Sequence, residues 1–247
     1  MLAIIGGTLL GKVEGLTIIR REIMRTPYGE PSCVLTFGEF CGQEVVFIAR
    51  HGYGYTIAPQ DINYRANMWA LAKQGVTDVI AVLSVGGIRT DMKSGCLVVP
   101  DQIIDYTHGR ENTYFESGKK PVEYIDFTEP YCQEMRQRIL QAAAAANEKV
   151  IDNGVYAATT GRRLETSAEI RRIERDGGDM VGMTGMPEAA LARELNLSYA
   201  AIAVITNAAA GKGSSRHHVD FRAASLALNG ELAALHRIMA RLVCAYS

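Results

Sequence analysis

Short runs of consecutive apolar, largely β-branched residues recur along this chain, with helical segments between them. No other feature constrains the fold as strongly. Runs at 2–5, 45–49, 79–83, 97–99, 155–158 and 199–205 are too short for helices and show no polar alternation, so they predict strands covered on both faces. Between them, 63–74 reads as a helix stopped by Gly75, and 130–147 as a second that carries an alanine run. Thr166-Ser167-Ala168-Glu169 has the spacing of a capping box and opens a third. Pro187 suits a first helical turn, and 188–195 continues a fourth. Phe221, Ser225, Leu228, Leu232, Leu235, Met239 and Leu242 recur at helical spacing, giving a last helix one stripe for the core or for a subunit contact. The alternation predicts a single α/β domain over 1–247, with a mixed central sheet flanked by helices. The polar, aromatic stretch 107–127 fits neither pattern and predicts a long functional excursion.

Charge and cysteine content narrow the function classes. Lys and Arg total 26 against 27 Asp and Glu, a near-neutral balance that argues against a nucleic-acid partner. No apolar run approaches the ~20 residues of a membrane span. The first residues lack the basic, apolar, small-residue order of a leader, so a cytoplasmic location is expected. Five cysteines without a Cys-x-x-Cys pair predict reduced thiols rather than a disulfide framework or a zinc site. His217-His218 are adjacent and point to different faces, so they suggest no metal pair.

Glycines cluster after predicted strands at Gly6-Gly7-Thr8, Gly86-Gly87 and Gly182-Met183-Thr184-Gly185. Such loops let backbone N–H groups cradle an anion, although any one of them also reads as a plain tight turn. Nucleotide motifs fail on inspection. Gly6-x4-Gly11-Lys12 lacks the Ser or Thr of a Walker loop, because Val13 stands there, and Thr8 occupies the second glycine of a dinucleotide fingerprint. Arg50-His51-Gly52 follows the strand 45–49, where a guanidinium suits phosphate or carboxylate.

Ile4-Ile5-Gly6-Gly7-Thr8, Ala49-Arg50-His51-Gly52, the segment 63–71 and Met183-Thr184-Gly185-Met186-Pro187-Glu188 together resemble the trimeric purine nucleoside phosphorylases. The branch most similar is that of the methylthioadenosine and methylthioinosine phosphorylases, over about residues 2–211. The resemblance implies phosphate attack on C1′ of a purine nucleoside, releasing the base and forming ribose 1-phosphate or its 5-methylthio analogue. It implies no metal or organic cofactor, with inorganic phosphate as co-substrate. It also implies a homotrimer, or a dimer of trimers, with sites near subunit interfaces. The chemistry fits a chain without an evident Ser-His-Asp or Cys-His grouping. An oxocarbenium-like transition state needs positioning and preorganised electrostatics more than a protein nucleophile.

Carried over by position, the resemblance gives phosphate to Thr8, Arg50, His51, Ser84 and Thr184, and sets Met183 against the ribose. Asn207 and Glu165 would act on the base, beside Leu164 and Ala209. Relatives that cleave 6-amino purines have Asp, one residue, Asp where this chain has Asn207 and Ala209. An asparagine donates to a 6-oxo group and accepts from a protonated N7. A Glu165 carboxylate would accept the N1–H of hypoxanthine or guanine and meet a lone pair on adenine, discriminating by ~10⁴-fold or more. Taken alone, Glu165 also reads as a carboxylate at a helix start.

A 6-oxopurine nucleoside is therefore expected: S-methyl-5′-thioinosine, inosine or guanosine. The 5′ side stays open between an apolar pocket at Val219 and a hydroxyl contact from His218, with Tyr124 contributed by a neighbouring copy. The chain departs from the family pattern at Leu9, Leu83, Arg162 and Leu164, the last standing where an aromatic often stacks on the base. The alternatives are a 5′-methylthioadenosine phosphorylase, a nucleosidase that uses water, and a non-catalytic nucleoside-binding protein on the same scaffold.

Overall fold

Apolar residues on successive positions of the central strands divide between two cores. Ala3, Ile5, Val79, Ala81, Ala201 and Ala203 join one, while Leu2, Ile4, Ile80, Val82, Ala200 and Ile202 join the other. Side chains of a strand alternate between faces, so this division requires a sheet covered on both sides. The structure is a computed structural model, and it describes residues 1–8, 10, 13–115, 123–220 and 229–246.

The described strands are β1 (Leu2–Gly6), β2 (Thr17–Glu22), β3 (Leu35–Phe40), β4 (Gln43–Ala49), β5 (Asp78–Gly87), β6 (Leu97–Val99), β7 (Gln102–Asp105), β8 (Val150–Asp152), β9 (Val155–Ala158), β10 (Met180–Gly182) and β11 (Ser198–Ala208). They form one mixed sheet in the order β2-β3-β4-β1-β5-β10-β9-β7, with β11, β6 and β8 branching from β5. α1 (Tyr64–Lys73) and α4 (Glu188–Glu194) put Met68, Leu71, Ala189 and Leu191 into the first core. α2 (Gln133–Ala145) and the C-terminal α5 (Asn229–Cys244) put Met135, Ile139, Leu235 and Met239 into the second. α3 (Ser167–Arg175) buries Ile170 and Ile173 against Val181 in a smaller cluster.

All the strands and helices expected from sequence are present. Asn63 caps α1 by accepting from the Ala66 N–H, and Thr166 and Glu169 complete the capping box of α3. The stripe residues Leu235, Met239 and Leu242 are core. Phe221, Ser225 and Leu228 lie outside the described residues, as do Leu9, Gly11 and Lys12. Strands β2, β3, β7, β8 and β10 carry no long apolar run, and β2 is exposed along most of its length at the sheet edge, which hid it from the apolar pattern. The described parts of 107–127 contain neither helix nor strand, and no helix among the described residues is long and apolar enough to cross a membrane.

One detail of the sheet creates the site. β4, β1, β5 and β11 run parallel, so their carboxyl ends emerge together. Along one edge of β5, pairing with β1 stops at Ala81 and antiparallel pairing with β10 begins only at Gly86. Between them β5 loses its neighbour on that side, and Ser84 sits in the gap. Ligands in open α/β sheets settle at such switch points beyond strand ends.

Candidate active site

A cavity of about 420 Å³ opens at this gap, a size suited to a small-molecule ligand. Ser84 lines it, and its Oγ is buried without a hydrogen-bond partner among the described residues. Gly7 and Thr8 leave β1 beside it. A Cβ on Gly7 would stand 2.7 Å from Val82 O and 3.1 Å from Arg50 Nη1, so only glycine lets the loop lie this close to β5. The Thr8 hydroxyl donates to Tyr55 Oη at 3.0 Å.

Arg50 leaves β4 and turns beneath that loop. It is fully buried and is not among the residues that line the cavity. Its Nε and Nη2 donate to the two Glu188 carboxylate oxygens, both at 2.7 Å, and Nη1 donates to Val82 O at 3.1 Å. Tyr199 Oη donates to the same carboxylate at 2.9 Å. Burial works to lower the arginine pKa, but the charge and hydrogen bonds of Glu188 more than offset it and hold the guanidinium charged. Val82 lies just past the point where β1 stops pairing with β5, and Arg50 supplies a donor to its carbonyl there.

His51 lines the cavity. Its Nδ1 stands 2.8 Å from Ile57 O; a carbonyl only accepts, so Nδ1 carries the proton and Nε2 keeps a lone pair. Burial and the nearby Arg50 charge push the imidazole down to about 4, so it is neutral at physiological pH. Tyr55 packs on the ring at 4.4 Å and, with Thr56, Ile57 and Pro59, forms a wall that sequence reasoning missed. The signal was present: Gly52 and Gly54 directly follow Arg50-His51 and take φ of +72° and +81°.

The glycines expected to form anion loops behave differently. Gly86-Gly87 ends β5 rather than following it; a Cβ on Gly87 would stand 2.0 Å from Met92 O, so close chain packing explains Gly87, while Gly86 lines the cavity. At 182–185, the Thr184 and Gly185 N–H groups donate to the buried Tyr156 Oη, each at 3.1 Å. Those N–H groups are committed inward. What this turn offers the cavity is its Met183 and Thr184 side chains.

Leu164, Glu165, Asn207 and Ala209 line the same cavity. Asn207 follows a bulge in β11, where pairing skips from Ile205 to Asn207 and Thr206 is passed over; bulges re-aim side chains beside sites. The Thr206 hydroxyl donates to Asn207 Oδ1 at 2.7 Å, and Asn207 Nδ2 donates to Ala208 O at 2.8 Å. One N–H and one lone pair of the amide remain for a ligand. Glu165 Oε1 accepts from the Thr159 hydroxyl at 2.6 Å. Hydroxyl groups of four separate segments, carried by Thr8, by Tyr55 and Thr56, by Ser84 and by Thr184, thus share one chamber with a carboxylate and a carboxamide.

Residues 2–242 match the family model described as the phosphorylase superfamily. The chain belongs to that family. It is 51% identical over 213 residues to a probable S-methyl-5′-thioinosine phosphorylase of Pseudomonas syringae pv. tomato, covering 86% of this chain and 87% of the relative. It is 46% identical over 202 residues to the 6-oxopurine nucleoside phosphorylase of Pyrococcus furiosus, covering 80% and 76%. A solved methylthioadenosine phosphorylase from Schistosoma mansoni, in complex with adenine, superposes with a TM-score of 0.93 at 31% identity, covering 99% of this chain and 91% of that one.

Within this phosphorylase chain, Thr8, His51, Ser84, Leu164, Glu165, Met183, Thr184, Asn207, Ala209 and Val219 meet at the cavity. Arg50, His218 and Tyr124 do not line it. His217 and His218 are exposed, and Tyr124 is 94% exposed on the excursion. Of the departures, Leu83 is core and does not line this cavity, while Arg162 does. No group of His, Cys, Asp or Glu among the described residues is arranged to hold a metal ion.

Proposed function

We propose that the chain phosphorolyses 6-oxopurine nucleosides, S-methyl-5′-thioinosine foremost and inosine or guanosine as well. The observation that carries this reading is one cavity in which the Glu165 carboxylate and the Asn207 amide share space with the unpartnered Ser84 hydroxyl. Phosphate lies among the Thr8, Ser84 and Thr184 hydroxyls, with the Arg50 charge one layer below. Met183 packs on the ribose. The N9–C1′ bond breaks as an oxygen of hydrogen phosphate bonds C1′, the electron pair leaves on the purine, and N7 takes up, by way of solvent, the proton that the phosphate gives up. Asn207 accepts that N7–H through Oδ1 and donates to O6 through Nδ2. Glu165 accepts N1–H. Stabilising charge on the departing base supplies the rate, and no protein atom bonds to substrate.

The 5′ preference follows from Val219, which lines the cavity where His218 does not. An apolar wall suits a methylthio group better than a hydroxyl. The catalyst needs no metal or organic cofactor. It works in purine salvage in the cytoplasm as a homotrimer, in which Tyr124 of a neighbouring copy reaches the 5′ side.

Inosine, guanosine, S-methyl-5′-thioinosine and 5′-methylthioadenosine, assayed with and without phosphate, test the reading. The expected result is phosphate-dependent cleavage with the highest kcat/KM for methylthioinosine. A higher kcat/KM for methylthioadenosine overturns the base assignment, full activity without phosphate makes the protein a hydrolase, and tight binding without turnover makes it a binding protein.

A further inference from the structure

Glu165 has no regular structure to hold it. It sits just before the α3 cap Thr166, in a segment that is neither helix nor strand. Three side-chain torsions separate its carboxylate from that backbone. Arg163, two residues away, is engaged by Glu169 rather than by Glu165, through paired bonds of 2.8 and 2.7 Å. The hydrogen bond that fixes the Glu165 carboxylate comes from Thr159.

Thr159 is well placed for that task. It directly follows β9, and its own N–H donates to Gly182 O at 2.9 Å, extending the parallel β9–β10 ladder by one bond. Its Oγ1 stands 2.6 Å from Glu165 Oε1 and 3.4 Å from Gly182 O. A threonine hydroxyl has one proton, and an ionised carboxylate only accepts, so that proton lies on the shorter line. A sheet-anchored donor thus grips a carboxylate carried by an irregular segment.

We infer that Thr159 is a positioning residue that makes Glu165 a discriminating reader of the purine N1 edge. This rests on the assignment of Glu165 to the base. The bond acts in two ways. It occupies Oε1 and leaves Oε2 for the base, and it holds the carboxylate in one orientation. A 6-oxopurine brings N1–H to that acceptor. A 6-aminopurine brings a lone pair, which meets the lone pairs of the oxygen held there. Thr159 therefore raises the 6-oxo rate, and the preference over adenine widens by the same factor.

The test uses Thr159→Val, which keeps the shape and removes the hydroxyl, Thr159→Ser, which restores it, and Glu165→Gln, alone and combined with Thr159→Val. Each is assayed for kcat/KM on methylthioinosine and methylthioadenosine, with a melting curve to confirm folding. A charge-assisted hydrogen bond predicts a loss of about 10- to 100-fold for Thr159→Val on methylthioinosine, with little change on methylthioadenosine, so the ratio narrows. Thr159→Ser should recover most of the loss. In the Glu165→Gln background, Thr159→Val should cost little more, because the two act as a unit.

An unchanged substrate ratio in a folded Thr159→Val protein, or a Thr159→Ser protein as impaired as Thr159→Val, overturns the positioning role. If Thr159→Val fails to fold, the decision falls to Thr159→Ser, which must keep the wild-type ratio. Failure of the underlying assignment looks different: Glu165→Gln would then retain the full 6-oxo preference by itself.

Discussion

Replacing Glu188 by glutamine should unfold this protein many degrees early, although Glu188 lines no part of the cavity. The magnitude follows from the geometry. Both Arg50 and Glu188 are 0% exposed, and the carboxylate accepts from Arg50 Nε, Arg50 Nη2 and Tyr199 Oη. Glutamine has the same shape but one oxygen. Its NH₂ group must face an N–H or O–H donor, so at least one of the three bonds is lost and the guanidinium stays buried without a counter-charge. Breaking a buried ion pair from one side costs about 3–5 kcal/mol. For a chain of this length each kcal/mol lowers Tm by about 2–4 °C, so a fall of roughly 6–20 °C is expected. Thermal unfolding followed by circular dichroism, with urea titration as an independent measure, reads this directly. Glu44→Gln provides the control, because its partner Arg20 has a side chain 42% exposed, and that variant should melt with the wild type. Equal melting of Glu188→Gln and Glu44→Gln would refute the reasoning, since it would mean that solvent or a rearranged side chain compensates Arg50.

Three further outcomes follow from the site. Asn207→Asp removes the donor to O6, so kcat/KM for methylthioinosine should drop ~10²-fold or more relative to methylthioadenosine; an unchanged ratio would show that the amide does not read the base. Tyr156→Phe strips the acceptor from the Thr184 and Gly185 N–H groups, costing about 2–4 kcal/mol by denaturation and raising the KM for phosphate through a loosened Thr184; a stable variant with normal phosphate KM would contradict this. The buried His51 ring titrates near 4 rather than 6.5, so the unfolded chain binds a proton in that window that the native chain does not. Its contribution to stability is complete above pH 6.5 and is lost as pH falls toward 4, and His51→Gln should flatten the pH dependence of Tm across that range.

Local chemistry wrote the elements of this fold into the chain. The Asn63 cap, the Thr166–Glu169 box and the stop at Gly75 depend on residues three or four apart, so they were legible without a structure. The apolar runs that became β1, β4, β5 and β11 were legible for the same reason, because burial on both faces leaves no place for polar residues. The order of motifs also brought Glu165 and Asn207 into view together, and the cavity holds both.

Other features were decided by contacts between segments far apart in sequence. Arg50 could be read as a ligand for phosphate, but its partner Glu188 lies 138 residues away, and only the folded sheet sets that carboxylate beneath the Gly7 loop. Tyr156 takes the N–H groups of Thr184 and Gly185 because β9 and β10 lie side by side. The gap beside Ser84 exists because β1 stops pairing with β5 before β10 starts. Periodicity and caps are set by neighbours along the chain, whereas the direction of a buried charge is set by whichever distant group can satisfy it. By itself, then, the sequence determined the strands covered on both faces, the capped helices and which side chains could carry chemistry. Tertiary structure alone decided which of those polar groups face the cavity and which are consumed in holding it open, because a buried donor or acceptor must find its partner wherever the fold provides one.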